Sequence, residues 1–306
     1  MFQAGFGKVD ERIDRLESLG IDAAWVSDGQ IEFDALSVLT AAAVRTERIM
    51  LGTAIVRTWP RHPLVSVQQS LTLAKLAPGR TRLGVGPAHR GAMEETFGFE
   101  FRAPLTNLRE YLQITKALLQ VGHVDFDGRH YHAHTSSAET AADVPVMASA
   151  LRPASFKLCG ALADGAISWM CPAKYLRDVA LPALQQGAAQ AGRAAPPLVA
   201  HVPICVHDDL VGARVAAVEQ NGYYPQSTFY AQMFAEAGFP EAIDSAQWSD
   251  GMLDAVLVAG PEERVAARLN EILDWGVSEL LVSVVSAGPD PDASWERSVA
   301  LIANLR

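Results

Sequence analysis

Two loops that follow apolar, strand-like segments contain most of the residues that could do chemistry. The first carries Arg57, Trp59, Arg61 and His62, and the second ends in His89. One amphipathic helix is predicted between the two segments, which makes them neighbouring parallel strands. In a barrel of parallel strands, the carboxyl ends of the strands form the binding pocket. The pattern favours a binding loop after the first segment, although Trp59 could be packing and His62 could cap the next helix.

Two further segments place polar groups after predicted strands. Asp28 ends an apolar segment, where its carboxylate could accept a hydrogen bond from a ligand, or could act as a helix cap or loop residue. The turn at 149–153 joins a strand to a helix that begins at Pro153. Backbone N–H groups at a helix start bind phosphate, and Arg152 would add a charge-assisted contact. An ordinary strand–helix turn is the alternative.

Two other patterns give only weak signals. The glycines at 84 and 86 lack the third glycine of a dinucleotide fingerprint, because His89 occupies that position. His130, His132 and His134 alternate and would share one strand face, where they could bind a metal. No nearby carboxylate or cysteine completes a set of ligands, so a solvated face is expected and no metal is predicted.

Composition limits the class of protein. The chain has 306 residues and a net charge of −10, which argues against nucleic acid or an anionic membrane as a partner. Its three cysteines form no C-x-x-C pair, which favours reduced thiols; Cys159 and Cys205 are expected in the core, and Cys171 could line a pocket. Without a leader or an apolar stretch of about 18 residues, a soluble cytoplasmic protein is expected.

Strand and helix patterns alternate along the chain. A (β/α)8 TIM barrel fits this alternation better than an open sheet, with insertions after strands 4 and 7. No linker divides the chain, so residues 1–306 are predicted to be a single domain. A long helix is predicted over 209–237. The eight predicted strands are 2–6, 23–26, 49–56, 81–85, 144–148, 165–169, 198–206 and 280–285.

The sequence resembles the bacterial-luciferase-like monooxygenase superfamily, and within it the deazaflavin oxidoreductases that use coenzyme F420. The similarity covers nearly the whole chain, and the order and spacing of its motifs are its most specific feature. Those motifs are Leu-Gly-Thr at 51–53, Pro-Arg-His-Pro at 60–63, Leu-Gly-Val-Gly at 83–86, Arg-Glu-Tyr-Leu at 109–112, Asp-Gly at 127–128, Ala-Asp-Gly at 163–165 and Gly-Pro-Glu-Glu at 260–263.

The resemblance implies a TIM barrel, frequent homodimers and a cofactor at the carboxyl ends of the strands. Asp28 matches the acid that contacts the deazaflavin ring, and Ala54 and Ile55 match a non-prolyl cis peptide behind it. The cofactor-binding set that we predict is Asp28, Ala54, Ile55, Arg57, Ser149, Ala150, Leu151 and Arg152. Ser149 to Arg152 match the site of the phosphate tail.

Three departures from the family pattern stand out. Leu151 and Arg152 occupy the place where relatives usually carry a glycine before the proline. Gly29 follows the ring-contacting Asp28, where some relatives carry a histidine that acts as acid or base, so sugar oxidation is not carried over. The first predicted strand is also short for the family.

These features predict hydride transfer between a deazaflavin and a small organic substrate. His89 is the leading candidate for the proton donor, with His62 next. Trp59, Trp169 and Tyr223 are predicted to line the substrate pocket. The aromatic residues Tyr223, Tyr224, Phe229 and Tyr230 fit a substrate site and helix packing equally well.

Two alternatives remain open from the sequence. An FMN-dependent monooxygenase would use the same pocket but would need dioxygen and a reductase partner. A flavin- or deazaflavin-binding protein without turnover is the second alternative, because Gly29 and the altered phosphate turn depart from the family pattern.

Overall fold

A mostly parallel, curled β-sheet forms the centre of the protein. The computed structural model describes residues 6–28 and 33–305. All strand pairs of the main sheet are parallel. Its strands are β1 (Ala23–Val26), β2 (Met50–Thr53), β3 (Val56–Arg57), β4 (Thr81–Gly86), β7 (Val146–Ala150), β8 (Gly165–Ser168), β9 (Leu198–Val206), β10 (Val258–Gly260) and β11 (Glu279–Val284). A separate antiparallel hairpin contains β5 (His123–Asp127) and β6 (His132–Ser136).

The order of the strands follows the chain from β1 through β2, β4, β7 and β8 to β9, which also pairs with β10 and β11. Helices connect the parallel strands, as parallel pairing requires. They are α1 (Phe6–Ser18), α2 (Ala35–Ala43), α3 (Pro63–Leu76), α4 (Pro104–Lys116), α5 (Pro153–Leu162), α6 (Ala173–Tyr175), α7 (Leu181–Gln190), α8 (Leu210–Asn221), α9 (Thr228–Glu236), α10 (Ala242–Ser245), α11 (Asp250–Val256), α12 (Glu262–Asp274) and α13 (Pro291–Ala303).

The sheet curls far enough to bring its first and last described strands together. Glu279, at the start of β11, accepts hydrogen bonds from Trp25 Nε1 of β1 at 3.3 Å and from Arg82 of β4 at 2.5 Å. Six apolar side chains pack together on the inner face: Trp25, Ala54, Met147, Ile167, Val199 and Leu281. The concave side is therefore a packed core, as in barrels of parallel strands.

Most predicted elements are confirmed; two are interrupted, one observed strand was not predicted, and one predicted strand lies largely outside the described residues. The predicted strand at 49–56 is interrupted, because a cis peptide between Ala54 and Ile55 separates β2 from β3. The predicted helix at 209–237 is broken near Pro225, which has no N–H to continue a helix. The three-residue strand β10 had no distinct pattern. Of the predicted strand at 2–6, positions 2–5 lie outside the described residues, and Phe6 begins α1.

A buried carboxylate on α4 anchors the hairpin to that helix. Glu110 accepts backbone N–H hydrogen bonds from Arg129, His130 and Tyr131 at 2.8, 2.7 and 3.2 Å. Its side chain lies within the fold, with 6% of the residue exposed. These bonds fix the hairpin turn against α4 and hold Tyr131 in position.

Tyr131 in turn holds the loop that follows β3. Its hydroxyl donates to the carbonyl oxygen of Thr58 at 2.7 Å and accepts from Asn107 Nδ2 at 2.9 Å. Thr58 Oγ1 donates to Asn107 Oδ1 at 2.6 Å. The predicted binding loop therefore takes its shape from α4 and the hairpin.

Replacing Glu110 by glutamine should destabilise the fold, because an amide oxygen cannot accept all three charge-assisted bonds. We expect Glu110→Gln to lower the free energy of unfolding by about 1–3 kcal/mol, measured by urea denaturation. The matched control is Glu219→Gln on the exposed part of α8, which should change stability by less than about 0.5 kcal/mol. Equal effects of the two variants would contradict the anchoring role.

Candidate active site

The cis peptide lies at a corner where three strands meet. Ala54 N donates to the carbonyl oxygen of Val26 at 2.8 Å, and Asp28 N donates to that of Ile55 at 3.2 Å. On the other side, a Cβ added to Gly86 would lie 2.2 Å from Ser149 Oγ and 3.2 Å from Ile55 Cγ1. Only glycine at position 86 allows this close approach. The predicted cis peptide is thus confirmed, and Asp28, Ile55 and Ser149 are neighbours across the strand ends.

Asp28 is the centre of a buried charge network, with 5% of its side chain exposed. Its Oδ1 accepts from Ala35 N at 3.0 Å, and its Oδ2 accepts from Arg57 N at 3.3 Å and Arg61 Nη1 at 3.2 Å. Arg61 also pairs with Asp34, which caps α2 by accepting from Ser37 N. Asp28 thus holds the helix start and the loop at once, which is the alternative that the sequence offered, and its contact with a ligand stays a prediction.

The loop after β3 has one face toward the charge network and one toward aromatic rings. Burial lowers the pKa of Arg57, and its guanidinium lies 4.9 Å from the centre of the Phe97 ring. Trp59 packs against Phe99, Phe101 and His130. Within the described chain, Trp59 Nε1 is buried without a hydrogen-bond partner, and the place of the indole in a substrate pocket stays a prediction.

His62 has a structural role at the end of this loop. Its Nδ1 accepts from Leu64 N at 3.3 Å and caps α3, as the alternative interpretation of the sequence held. Burial lowers its pKa. The cap occupies Nδ1, and the ring also forms a hydrogen bond with the backbone of His132, which opposes the lowering of the pKa.

An aromatic cage surrounds His89 after β4. The imidazole lies 5.0 Å from the ring of Tyr223, 6.0 Å from that of Tyr224 and 5.7 Å from that of Tyr230. All three tyrosines come from the segment between β9 and β10. Burial lowers the pKa of His89 to about 4, so the ring is neutral at physiological pH.

Trp169, at the end of β8, stacks on a histidine that the sequence interpretation missed. The rings of Trp169 and His201 are 3.5 Å apart and nearly parallel, at 13°. His201 Nδ1 accepts from Met170 N at 3.2 Å, and Nε2 lies 2.8 Å from Ser283 Oγ. Every residue of β9 is buried. A histidine within such an apolar segment needs hydrogen-bond partners, and this was the signal that could have identified His201 from the sequence.

The predicted phosphate turn, residues 149–153, is held by groups of the protein itself. Ser155 Oγ accepts from the N–H groups of Leu151 and Arg152 at 3.0 and 3.1 Å. The Arg152 guanidinium forms an ion pair with Glu236 and donates to Gln232 at 2.6 Å, both on α9. Ser149 and Ala150 end β7 directly before this turn. A phosphate here would have to compete with Glu236 for Arg152.

The other candidate groups have structural roles. His132 and His134 are exposed on the hairpin and pair with the carboxylates of Asp127 and Asp125. Even so, no cluster of three potential ligands able to hold a metal occurs among the described residues. All three cysteines are buried, and burial raises the pKa of Cys171 to about 12, which makes its thiol a poor nucleophile.

Comparison with known proteins places these features in a family. The family model described as luciferase-like monooxygenase matches residues 3–279. The chain belongs to the luciferase-like monooxygenase family. Across the described residues, no helix combines the length and apolarity needed to cross a membrane.

Relatives and a solved structure extend the comparison. The 5,10-methylenetetrahydromethanopterin reductase of Methanopyrus kandleri is 26% identical, over 94% of this chain and 92% of its own length. The F420-dependent glucose-6-phosphate dehydrogenase of Mycobacterium avium is 28% identical, over 87% and 84%. An F420-dependent secondary alcohol dehydrogenase, solved with an F420–acetone adduct, has the same fold, with a TM-score of 0.81 and 19% identity over 99% of this chain and 95% of that one.

The depressed pKa of His89 predicts acid sensitivity. The unfolded chain binds a proton to this group below about pH 6.5, whereas the folded protein does so only near pH 4, so stability is lost as pH falls through that window. His89→Gln should remove about 2 kcal/mol of the stability difference between pH 7 and pH 5, measured by urea denaturation. The exposed His123→Gln serves as control, and an unchanged pH dependence in His89→Gln would refute the assignment.

Proposed function

We propose that the protein is an F420-dependent oxidoreductase that transfers a hydride between the deazaflavin and a small organic substrate. The observation that carries the proposal is the corner formed by Asp28, the Ala54–Ile55 cis peptide and Ser149. It lies at the carboxyl ends of parallel strands, where α/β enzymes bind their ligands. Support comes from the relatives, which include an F420-dependent dehydrogenase aligned over most of the chain.

The residues at the corner fit the ring end of such a cofactor. Gly86 lets Ile55 and Ser149 approach the end of β4 closely, and Asp28 and Arg57 border this corner with opposite charges. In the proposed complex Ala54 and Ile55 support one side of the ring, and Trp59, Trp169 and Tyr223 line the substrate side. When bound, the deazaflavin would supply or accept the hydride; the chain contributes position, exclusion of water and the proton.

The turn at 149–153 fits the phosphate tail of the cofactor only if the phosphate replaces Glu236 as the partner of Arg152. Arg152 has the charge for a phosphate, but Glu236 holds it, and the amides of Leu151 and Arg152 are bonded to Ser155. Both side chains of the Arg152–Glu236 pair are about one-third exposed, at 38% and 34%. Exposed ion pairs contribute only about 0–1 kcal/mol, so phosphate can replace Glu236 at low cost.

The remaining features of the enzyme belong to the same proposal. The curled sheet would close into an eight-stranded TIM barrel, with insertions after β4 and β9 and all 306 residues in one domain. We propose a cytoplasmic homodimer acting on a small molecule, without nucleic acid or membrane as partner. His89 and His62 are the two histidines predicted to donate a proton. Burial lowers the pKa of both.

An FMN-dependent monooxygenase is the second candidate, because the matching family model is one of monooxygenases. It would use the same corner with FMN, dioxygen and a separate reductase. The relative affinities for the two cofactors distinguish the two candidates.

Titration with each cofactor tests the proposal directly. We expect saturable quenching of F420 fluorescence at micromolar protein concentrations, and binding of FMN at least about tenfold weaker, a difference of about 1.4 kcal/mol. A preference for FMN would move the protein to the monooxygenase branch. Binding of neither would overturn the proposed function.

The Arg152–Glu236 pair predicts a tail-specific effect. Glu236→Gln should strengthen binding of the complete, phosphate-bearing cofactor about three- to tenfold, because the phosphate no longer competes with a carboxylate. Binding of the tail-less deazaflavin chromophore should not change, nor should Glu219→Gln alter either affinity. An equal gain for both ligands would show that Glu236 acts on the ring end or on the fold instead.

A further inference from the structure

One hydroxyl in the aromatic cage is prepared for proton transfer. Tyr224 Oη accepts a hydrogen bond from Trp169 Nε1 at 2.6 Å. Among the described residues, its own hydrogen has no acceptor. The neighbouring Tyr230 is also buried, with 6% of its surface exposed, and its hydroxyl makes no hydrogen bond within the same residues. Each of the two hydroxyls therefore keeps a hydrogen that it can donate to a ligand in the cage.

The indole of Trp169, which donates to Tyr224, is held in position by His201. The indole of Trp169 stacks on His201, and both nitrogens of His201 are occupied, by Met170 N and Ser283 Oγ. Because Nδ1 accepts a backbone N–H, the proton of His201 must lie on Nε2 and point to Ser283. The imidazole, held by these two bonds, supports the face of the indole whose N–H donates to Tyr224.

The support from Trp169 distinguishes Tyr224 from its neighbours. A phenol that gives up its proton becomes an anion, which a neighbouring N–H donor stabilises. Only Tyr224 has such a donor among the three tyrosines around His89, within the described chain. Burial raises its pKa to about 12, and the bond from Trp169 opposes that rise. His89 is neutral and would be a poor acid at physiological pH.

The composition of the cage indicates the kind of substrate. Rings form its walls: those of His89, Trp169, Tyr223, Tyr224 and Tyr230. In the described part of the chain, no arginine lies over any of these rings, although six arginine–ring contacts occur elsewhere. Such walls suit a neutral, apolar or aromatic molecule and offer no countercharge for a phosphate or carboxylate.

We propose that Tyr224 is the proton-transfer residue of this enzyme and that its substrates are neutral ketones and the corresponding secondary alcohols. The inference rests on the proposed function, since the reduced deazaflavin must supply the hydride. In ketone reduction, the hydride adds to the carbonyl carbon and the C=O π electrons move to oxygen. That oxygen takes the proton from Tyr224 Oη, and the phenolate recovers a proton from solvent. Alcohol oxidation runs through the same steps in reverse.

The test uses acetophenone and 2-butanone with reduced F420, and 1-phenylethanol and 2-butanol with oxidised F420. Tyr224→Phe keeps the ring and removes the hydroxyl; it should lower kcat about 100-fold or more, with KM changed less than about threefold. Tyr111→Phe, which removes a buried hydroxyl bonded to Ser66 on α3, should retain kcat within about twofold. Circular dichroism and cofactor titration would check that each variant folds and binds F420.

A binding measurement provides a readout apart from turnover. Affinity of 1-phenylethanol for the enzyme holding reduced F420, a complex that cannot react, should fall about three- to tenfold in Tyr224→Phe, as expected for one lost hydrogen bond. Tyr111→Phe should bind the alcohol normally.

Each outcome has one meaning. If wild-type enzyme does not bind F420, the proposed function fails. If it binds F420 but acts on none of the four compounds, the substrate class and the proton transfer from Tyr224 are both wrong, while the cofactor proposal stands. If wild type turns over and Tyr224→Phe matches Tyr111→Phe in kcat and alcohol affinity, Tyr224 only packs in the cage.

Discussion

The buried carboxylate of Asp28 joins the parts on which the site depends. It accepts hydrogen bonds from the start of α2 and from the loop after β3, and Arg61 reaches it from farther along that loop. A buried charge is tolerated only while it is paired and hydrogen-bonded, because leaving one partner alone is strongly destabilising. The helix, the loop and the cis-peptide corner therefore hold their relative positions together, and the ring end of the proposed cofactor site is preorganised.

The tail end is built on a different principle. Its ion pair between Arg152 and Glu236 is partly solvated, so exchanging one anion for another changes little in free energy. The amides of the turn are already bonded to Ser155. The ring end of the proposed site is therefore rigid, whereas the tail end can exchange its ion-pair partners. Selection among cofactors with different tails depends on the tail end.

The parallel strands were predictable because strands buried on both faces form continuous apolar segments, and the helices between them have clear periodicity and caps. The cis peptide at Ala54 was predictable only from family resemblance, since no local residue pattern requires it. The partners of Arg152 and the stack of Trp169 on His201 were not predictable. Both depend on residues about 30 to 80 positions apart in the chain, and such contacts leave no periodic pattern in a single sequence.

The two halves of the proposed site come from different kinds of structure. Strand ends form the corner beside Asp28, whereas one connection between β9 and β10 supplies Tyr223, Tyr224 and Tyr230. Exchange of that connection would alter the cage while leaving the strand ends and their hydrogen bonds in place. Changes in this connection can therefore alter the substrate while the strand ends retain the redox chemistry. Paralogues built in this way can convert different substrates by the same reaction.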